Sequence, residues 1–267
     1  MEYQKLTHQP LSIVLAEFKF SAVLLMEKFI AGIQEDLRDE YPDFKRRTGH
    51  TITLTPGDEA PTITDNSVTY WELSSEDRSQ LIRIDPENVI VASTDYGRFP
   101  TFLKSCQRAI STIHDHVGLK ILNRVGLRYC DTVIPAPDKE LSDYLEPEVL
   151  PGNAVIGLSN FIRLHRSETS LDTGEGKTLK IQVLAGMHQL AVFPDLRHTF
   201  SEVQWPEIPK DHATAILDFD HFWEPPSKER PSFAVDFASE KLAELHEVAR
   251  QAFWDLTTSK AKMEYWK

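Results

Sequence analysis

Two arginines flank a glycine in the segment Leu122-Asn123-Arg124-Val125-Gly126-Leu127-Arg128-Tyr129-Cys130. As a strand it sorts by parity, with Leu122, Arg124, Gly126, Arg128 and Cys130 on one face. Gly126 has no side chain, so a ligand or a packed element can approach the backbone there while two guanidinium forks reach it. The chemistry implied is the binding of a carboxylate or another small anion. Ile216, Asp218 and Asp220 share one face of a second strand-like segment, and carboxylates at that spacing can hold a divalent cation or act as acid and base. Glu17, in the first apolar run, is a third acidic partner. Glu17, Arg124, Arg128, Asp218 and Asp220 therefore either line a pocket for an anionic ligand or neutralise one another as ion pairs across a sheet.

Other chemistry is poorly represented. The chain has no GxGxxG, GxxxxGK[ST] or GxSxG pattern, and no Cys-His nucleophile arrangement. His114 and His116 are two apart on a helix and cannot share a face, while His246-Glu247 lacks the second histidine of a zincin. These histidines read as surface or core-edge residues. Cys106 and Cys130 sit in apolar patterns and read as reduced, buried thiols. No catalytic residue, metal or cofactor is assigned, and the balance leans away from an enzyme. The stretch Phe219 to Pro231 places Phe222 and Trp223 beside a Pro-rich loop, where an exposed aromatic pair would anchor a protein partner.

Composition sets the frame for these residues. The 267-residue chain is 41% hydrophobic and 26% charged, as expected of a globular protein. Its 29 basic and 41 acidic residues give a net charge of −12, which repels phosphate backbones and anionic membranes. The basic run Lys45-Arg46-Arg47 reads as a solvated loop, so no nucleic acid is expected as a partner. Glu17 and Lys19 interrupt the apolar stretch from Leu11 to Met26, so it is neither a signal peptide nor a membrane span. A cytoplasmic location without membrane attachment is the expectation.

The elements that must hold the charged face follow from periodicity. LSIVLAEFKF alternates as a strand, and Ser21 caps a helix with Leu25, Phe29, Ile33 and Leu37 on its stripe. VTYWELS, QLIRID and NVIVAST form a meander. Phe102, Cys106, Ile110, Ile113 and Val117 mark a helix ending at Gly118, and residues 119 to 134 form a long strand. The Pro- and acid-rich connection from Pro135 to Pro151 divides the chain. Strands are predicted near 154 to 166, 178 to 185, 187 to 193 and 213 to 221, with turns at Thr173 to Gly176 and around Gly186. A final helix spans about 237 to 258. The fold class is α+β: two similar halves of mostly antiparallel sheet, each with a long packed helix, residues 1–135 and 136–267, packed as one unit. A diverged duplication fits this plan, although no residue-level repeat establishes it.

Glu17-Phe18-Lys19-Phe20, the Trp71 strand, Arg124-Val125-Gly126-Leu127-Arg128-Tyr129, Leu217-Asp218-Phe219-Asp220 and Leu245-His246-Glu247, taken in order, resemble a sporadically distributed bacterial family that has no assigned activity. The resemblance covers nearly the whole chain, and R-x-G-L-R-Y is its most specific piece. It implies a prokaryotic, cytoplasmic protein and no catalytic role, and patchy occurrence implies a mobile defence or toxin-neutralising cassette. The reading that results is a non-enzymatic binding or regulatory protein, with a protein partner or self-association ranked ahead of a small ligand. An enzyme or sensor with the Arg/Asp/Glu pocket is the alternative.

Overall fold

Strand β1 (Leu11–Phe20) buries Val14, Ala16, Phe18 and Phe20 on one side, and this alternation places it at the centre of the molecule. The computed structural model describes residues 6–55, 62–150, 163–226 and 229–267. The remaining strands are β2 (Asp43–Thr55), β3 (Thr62–Ser74), β4 (Gln80–Ile84), β5 (Asn88–Ser93), β6 (Leu122–Val133), β7 (Leu164–Gly174), β8 (Lys177–Gly186) and β9 (Thr214–Trp223). All belong to one antiparallel sheet of order β2-β3-β4-β5-β1-β6-β9-β8-β7. The protein is thus α+β, as the sequence predicts, while the structure by itself does not establish a duplication of halves.

Helices α1 (Glu27–Leu37), α2 (Phe99–Val117) and α4 (Val235–Leu256) cover one face of this sheet. In α2, Phe102, Cys106, Ile110 and Ile113 fall on one buried stripe, and Gly118 ends the helix at φ 67, a left-handed conformation that a Cβ disfavours. In α4 the inward residues include Leu242, Leu245, His246 and Ala249. The opposite face is covered by the short α3 (Pro194–Thr199) and its flanking coil, with Val192, Phe193, Leu196 and Phe200 packed on Ile13, Cys130 and Ile216. Among the described residues no helix is long and apolar enough to cross a membrane. His8 donates its backbone N–H to the carbonyl of Trp266 at 3.0 Å, which holds the strap before β1 beside the last residues of the chain.

Several local expectations change. Lys45, Arg46 and Arg47 lie in β2, paired with Glu72, Trp71 and Tyr70 of β3, rather than in a loop. Lys45 and Arg47 both bind Glu202, and Arg46 pairs with Glu27 at 3.1 Å, so alternating charged positions on the strand are each met by a carboxylate. Helix α1 begins at Glu27, after Leu25, because its buried positions are Ile30, Ile33 and Leu37, with Met26 at its N-cap. Residues 187 to 193 are not a strand: Gly186 turns the chain at φ 129, and the apolar Ala191-Val192-Phe193 folds flat over the sheet. The strand predicted near 154 to 166 lies partly outside the described residues, and β7 starts at Leu164.

Candidate functional site

The two predicted arginines stand on the α3 side of β6, and the structure gathers the predicted acidic residues around them. Arg128 is in register with Leu15 of β1 and Asp220 of β9. Its guanidinium reaches diagonally to Asp218, with Nε donating to Oδ1 at 2.8 Å and Nη2 to Oδ2 at 2.7 Å. Nη1 donates to Asp195 at the start of α3, at 2.5 Å. This bidentate pair is the strong form of a charge-assisted bond. Burial works to push the Asp218 carboxyl above its usual range, and Arg128 pulls against it. The Asp195 carboxyl also feels burial, but Arg128 wins there and holds it below the usual range.

Arg124 is met by three carboxylates. Its Nε lies 3.1 Å from Glu17, its Nη1 3.0 Å from Glu224 and its Nη2 3.8 Å from Asp220. The guanidinium carbon stands 3.7 Å above the Phe222 ring, a cation–π contact. Glu17 faces Gly126 in register, and a Cβ at Gly126 would meet the Glu17 Cβ at 3.5 Å, an ordinary contact. The room above Gly126 is thus already occupied by Glu17 and Arg124. Glu17, Arg124, Asp220 and Glu224 form one ion-paired group, and Arg128, Asp218 and Asp195 form the other. Asp195 and Glu224 were not anticipated, because neither sits in a strand-parity pattern.

Two parts of the sequence reading are corrected here. Register shifts between Lys19 and Phe20, and between Leu11 and Ile13, interrupt the β1–β6 ladder. Leu122 therefore turns to the helix-covered core, away from Arg124 and Gly126. Phe222 and Trp223 are not an exposed pair on a Pro-rich loop. They are the last residues of β9 and point to opposite faces, Trp223 being 4% exposed and edge-on to Phe237 with ring centroids 5.5 Å apart.

The odd-numbered residues of β6 point to the helix side, where Tyr129 and Asp131 line a cleft of about 330 Å³, and the shift near Leu11 turns Leu11, unlike Ile13, to the same side. The cleft lies between the strap before β1, the start of α2, β6, β9 and α4. Its apolar walls come from Leu11, Phe99, Phe219, Phe253 and Trp254. Its polar wall contains Tyr96, Tyr129, His246 and Asp131. Tyr129 Oη lies 2.8 Å from His246 Nδ1 and 3.3 Å from Tyr96 Oη. Both hydroxyl protons are used if Tyr96 donates to Tyr129 and Tyr129 to the imidazole. Phe99 stacks on His246, with centroids 3.9 Å apart and planes 6° apart, fixing the ring.

Burial governs protonation on this wall. It lowers the His246 imidazole to about 4, with Arg250 adding to the effect, so the ring is neutral at pH 7. It raises the Tyr96 hydroxyl to about 12 and holds the Tyr129 hydroxyl well above its usual value. The Asp131 carboxyl, 4% exposed, is driven well above the usual carboxylate range by burial and by the Asp218 charge. Among the described residues no hydrogen bond or ion pair reaches it. His246, expected at the surface or the core edge, is instead a buried member of this network. The signal that could have revealed the cleft is an aspartate inside the otherwise uncharged run Tyr129 to Ile134.

Comparison with known proteins gives no further guide: no protein family matches the chain, and neither does any curated protein.

Proposed function

We propose that the protein is a non-enzymatic binding protein whose recognition element is the cleft between β6, α2 and α4. The observation that carries this reading is the buried carboxyl of Asp131, unpartnered among the described residues, on the wall of an aromatic cleft of about 330 Å³. Ligand sites are typically concave, mostly apolar and furnished with a few polar groups of perturbed pKa. The Arg124 and Arg128 face supports an anion site less well, because both guanidinium groups already face protein carboxylates. A protein partner is the second reading, favoured by Leu24 at 90% exposure and Leu25 at 57% ahead of α1.

We also infer a diverged duplication. With the boundary moved from residue 135 to just before β6, each half opens on a central strand, β1 or β6, returns to it through a meander ending in β5 or β9, and closes with a long helix, α2 or α4. Native mass spectrometry of protein purified gently from bacterial cytosol tests the functional reading. A small-molecule adduct is expected on the wild type and lost in Ala249→Trp, which fills the cleft. An adduct that survives Ala249→Trp refutes the cleft as the site, and a stoichiometric second chain transfers the assignment to the Leu24 surface.

A further inference from the structure

The ligand class follows from how the polar wall of the cleft is already used, and this step rests on the cleft being a ligand site. Tyr96 and Tyr129 spend their hydroxyl protons on each other and on His246 Nδ1. The wall group with both a donor and an acceptor to offer side by side is the Asp131 carboxyl. We propose that the cleft takes an uncharged, planar nitrogen heterocycle with a lactam edge, a carbonyl beside an N–H, paired with both oxygens of Asp131 and packed against Phe99, Phe253 and Trp254.

Three observations favour this edge over a charged one. First, a protonated carboxyl offers one donor and one acceptor side by side, the complement of an N–H and a carbonyl on one ring edge. Burial, the absence of a cationic partner among the described residues and the nearby Asp218 charge all favour that form for Asp131. Second, the titratable and charged groups around the cleft are Tyr96, Arg98, Tyr129, His246 and Arg250, with Asp218 behind β6. The tyrosines and the histidine are neutral, so a buried ligand charge finds no opposite charge deep in the cleft. An ammonium would also enter past Arg98, which repels it. Third, the apolar wall carries three aromatic rings, which suit the faces of a flat ring system.

Titration calorimetry with isoquinolin-1-one, benzylammonium and benzoate as probes tests the assignment near neutral pH. Isoquinolin-1-one is expected to bind at least about ten-fold more tightly than either charged probe. Asp131→Asn keeps a donor and an acceptor on the same frame, so it should stay within about three-fold of wild type. Asp131→Leu keeps the branched shape but removes two hydrogen bonds, so it should weaken binding by about ten-fold or more. Near-ultraviolet circular dichroism checks that each variant is folded. Tighter binding of benzylammonium or benzoate overturns the lactam assignment while leaving the cleft as a ligand site. Equal affinity of wild type and Asp131→Leu also overturns it. If no probe binds at millimolar concentration, the inference and the cleft reading fall together.

Discussion

Arg128→Ala is the sharpest test of the ion-paired face. The side chains of Arg128 and Asp218 are 17% and 3% exposed, so the pair is nearly dry. Asp195, the other carboxylate on Arg128, carries the same charge as Asp218 and so adds repulsion once the arginine is gone. Removing one partner of a buried pair leaves the other as an unpaired buried charge, which costs about 3–5 kcal/mol. For 267 residues, an unfolding entropy of about 2.1 cal/mol/K per residue gives about 0.56 kcal/mol/K, so the melting temperature should fall by about 5–9 °C. In the variant the Asp218 carboxyl moves further above its unfolded value and takes up a proton on folding. Lowering the pH through the carboxylate range therefore stabilises the variant relative to wild type, and the deficit should shrink. Replacing the pair as a unit, Arg128→Met with Asp218→Leu, should recover most of the loss, because apolar groups of similar volume often replace a buried pair at little cost. Calorimetric melts of the three proteins decide the matter. An unchanged melting temperature for Arg128→Ala would refute the structural role, as would a double variant no better than the single one.

Asp131 has the opposite signature. Its folded pKa is raised, so from about pH 4 upward the unfolded chain loses a proton that the folded protein keeps, and stability falls by up to about 1.4 kcal/mol per pH unit until the folded carboxyl ionises. Asp131→Asn removes this slope, so its stability in urea melts should exceed wild type by a margin that grows with pH; parallel curves would show that the carboxyl titrates normally. Two glycines separate by contact: Gly126→Ala should be neutral or gain about 0.5–1 kcal/mol, since the strand tolerates a Cβ there. Gly186→Ala should lose about 1–3 kcal/mol, because φ is 129 and the new Cβ meets the Arg163 carbonyl. Chemical denaturation of both variants checks the contrast.

The sequence is legible where one face of an element is apolar. The alternation of β1, the α2 stripe ending at Gly118 and the shared face of Arg124, Arg128, Asp218 and Asp220 all follow from period alone. Strand β2 escapes notice because Lys45 and Arg47 alternate charge where an ordinary strand alternates apolar residues, and Glu202, which neutralises both, is distant in sequence. The register shifts that turn Leu122 and Leu11 to the helix side are a property of the β1–β6 pairing, not of either strand alone. The cleft collects Leu11, Phe99, Phe219 and Phe253 from four separate segments, and each reads locally as ordinary core. Only Asp131 stands out, as an acid in an otherwise uncharged run.

The central place of β1 has a consequence for how the chain must be made. β1 leaves a ribosome before either of its sheet neighbours, β5 and β6, and β6 begins only at Leu122. Until β6 emerges, one edge of β1 presents unpaired backbone groups, which makes it a template for wrong partners. Closing these long-range ladders costs loop entropy before any contact repays it, so folding belongs to the slow, β-rich regime. A chain halted between β5 and β6 would expose the edge that in the finished sheet runs through its middle, so aggregation of such fragments should be the main hazard of its synthesis.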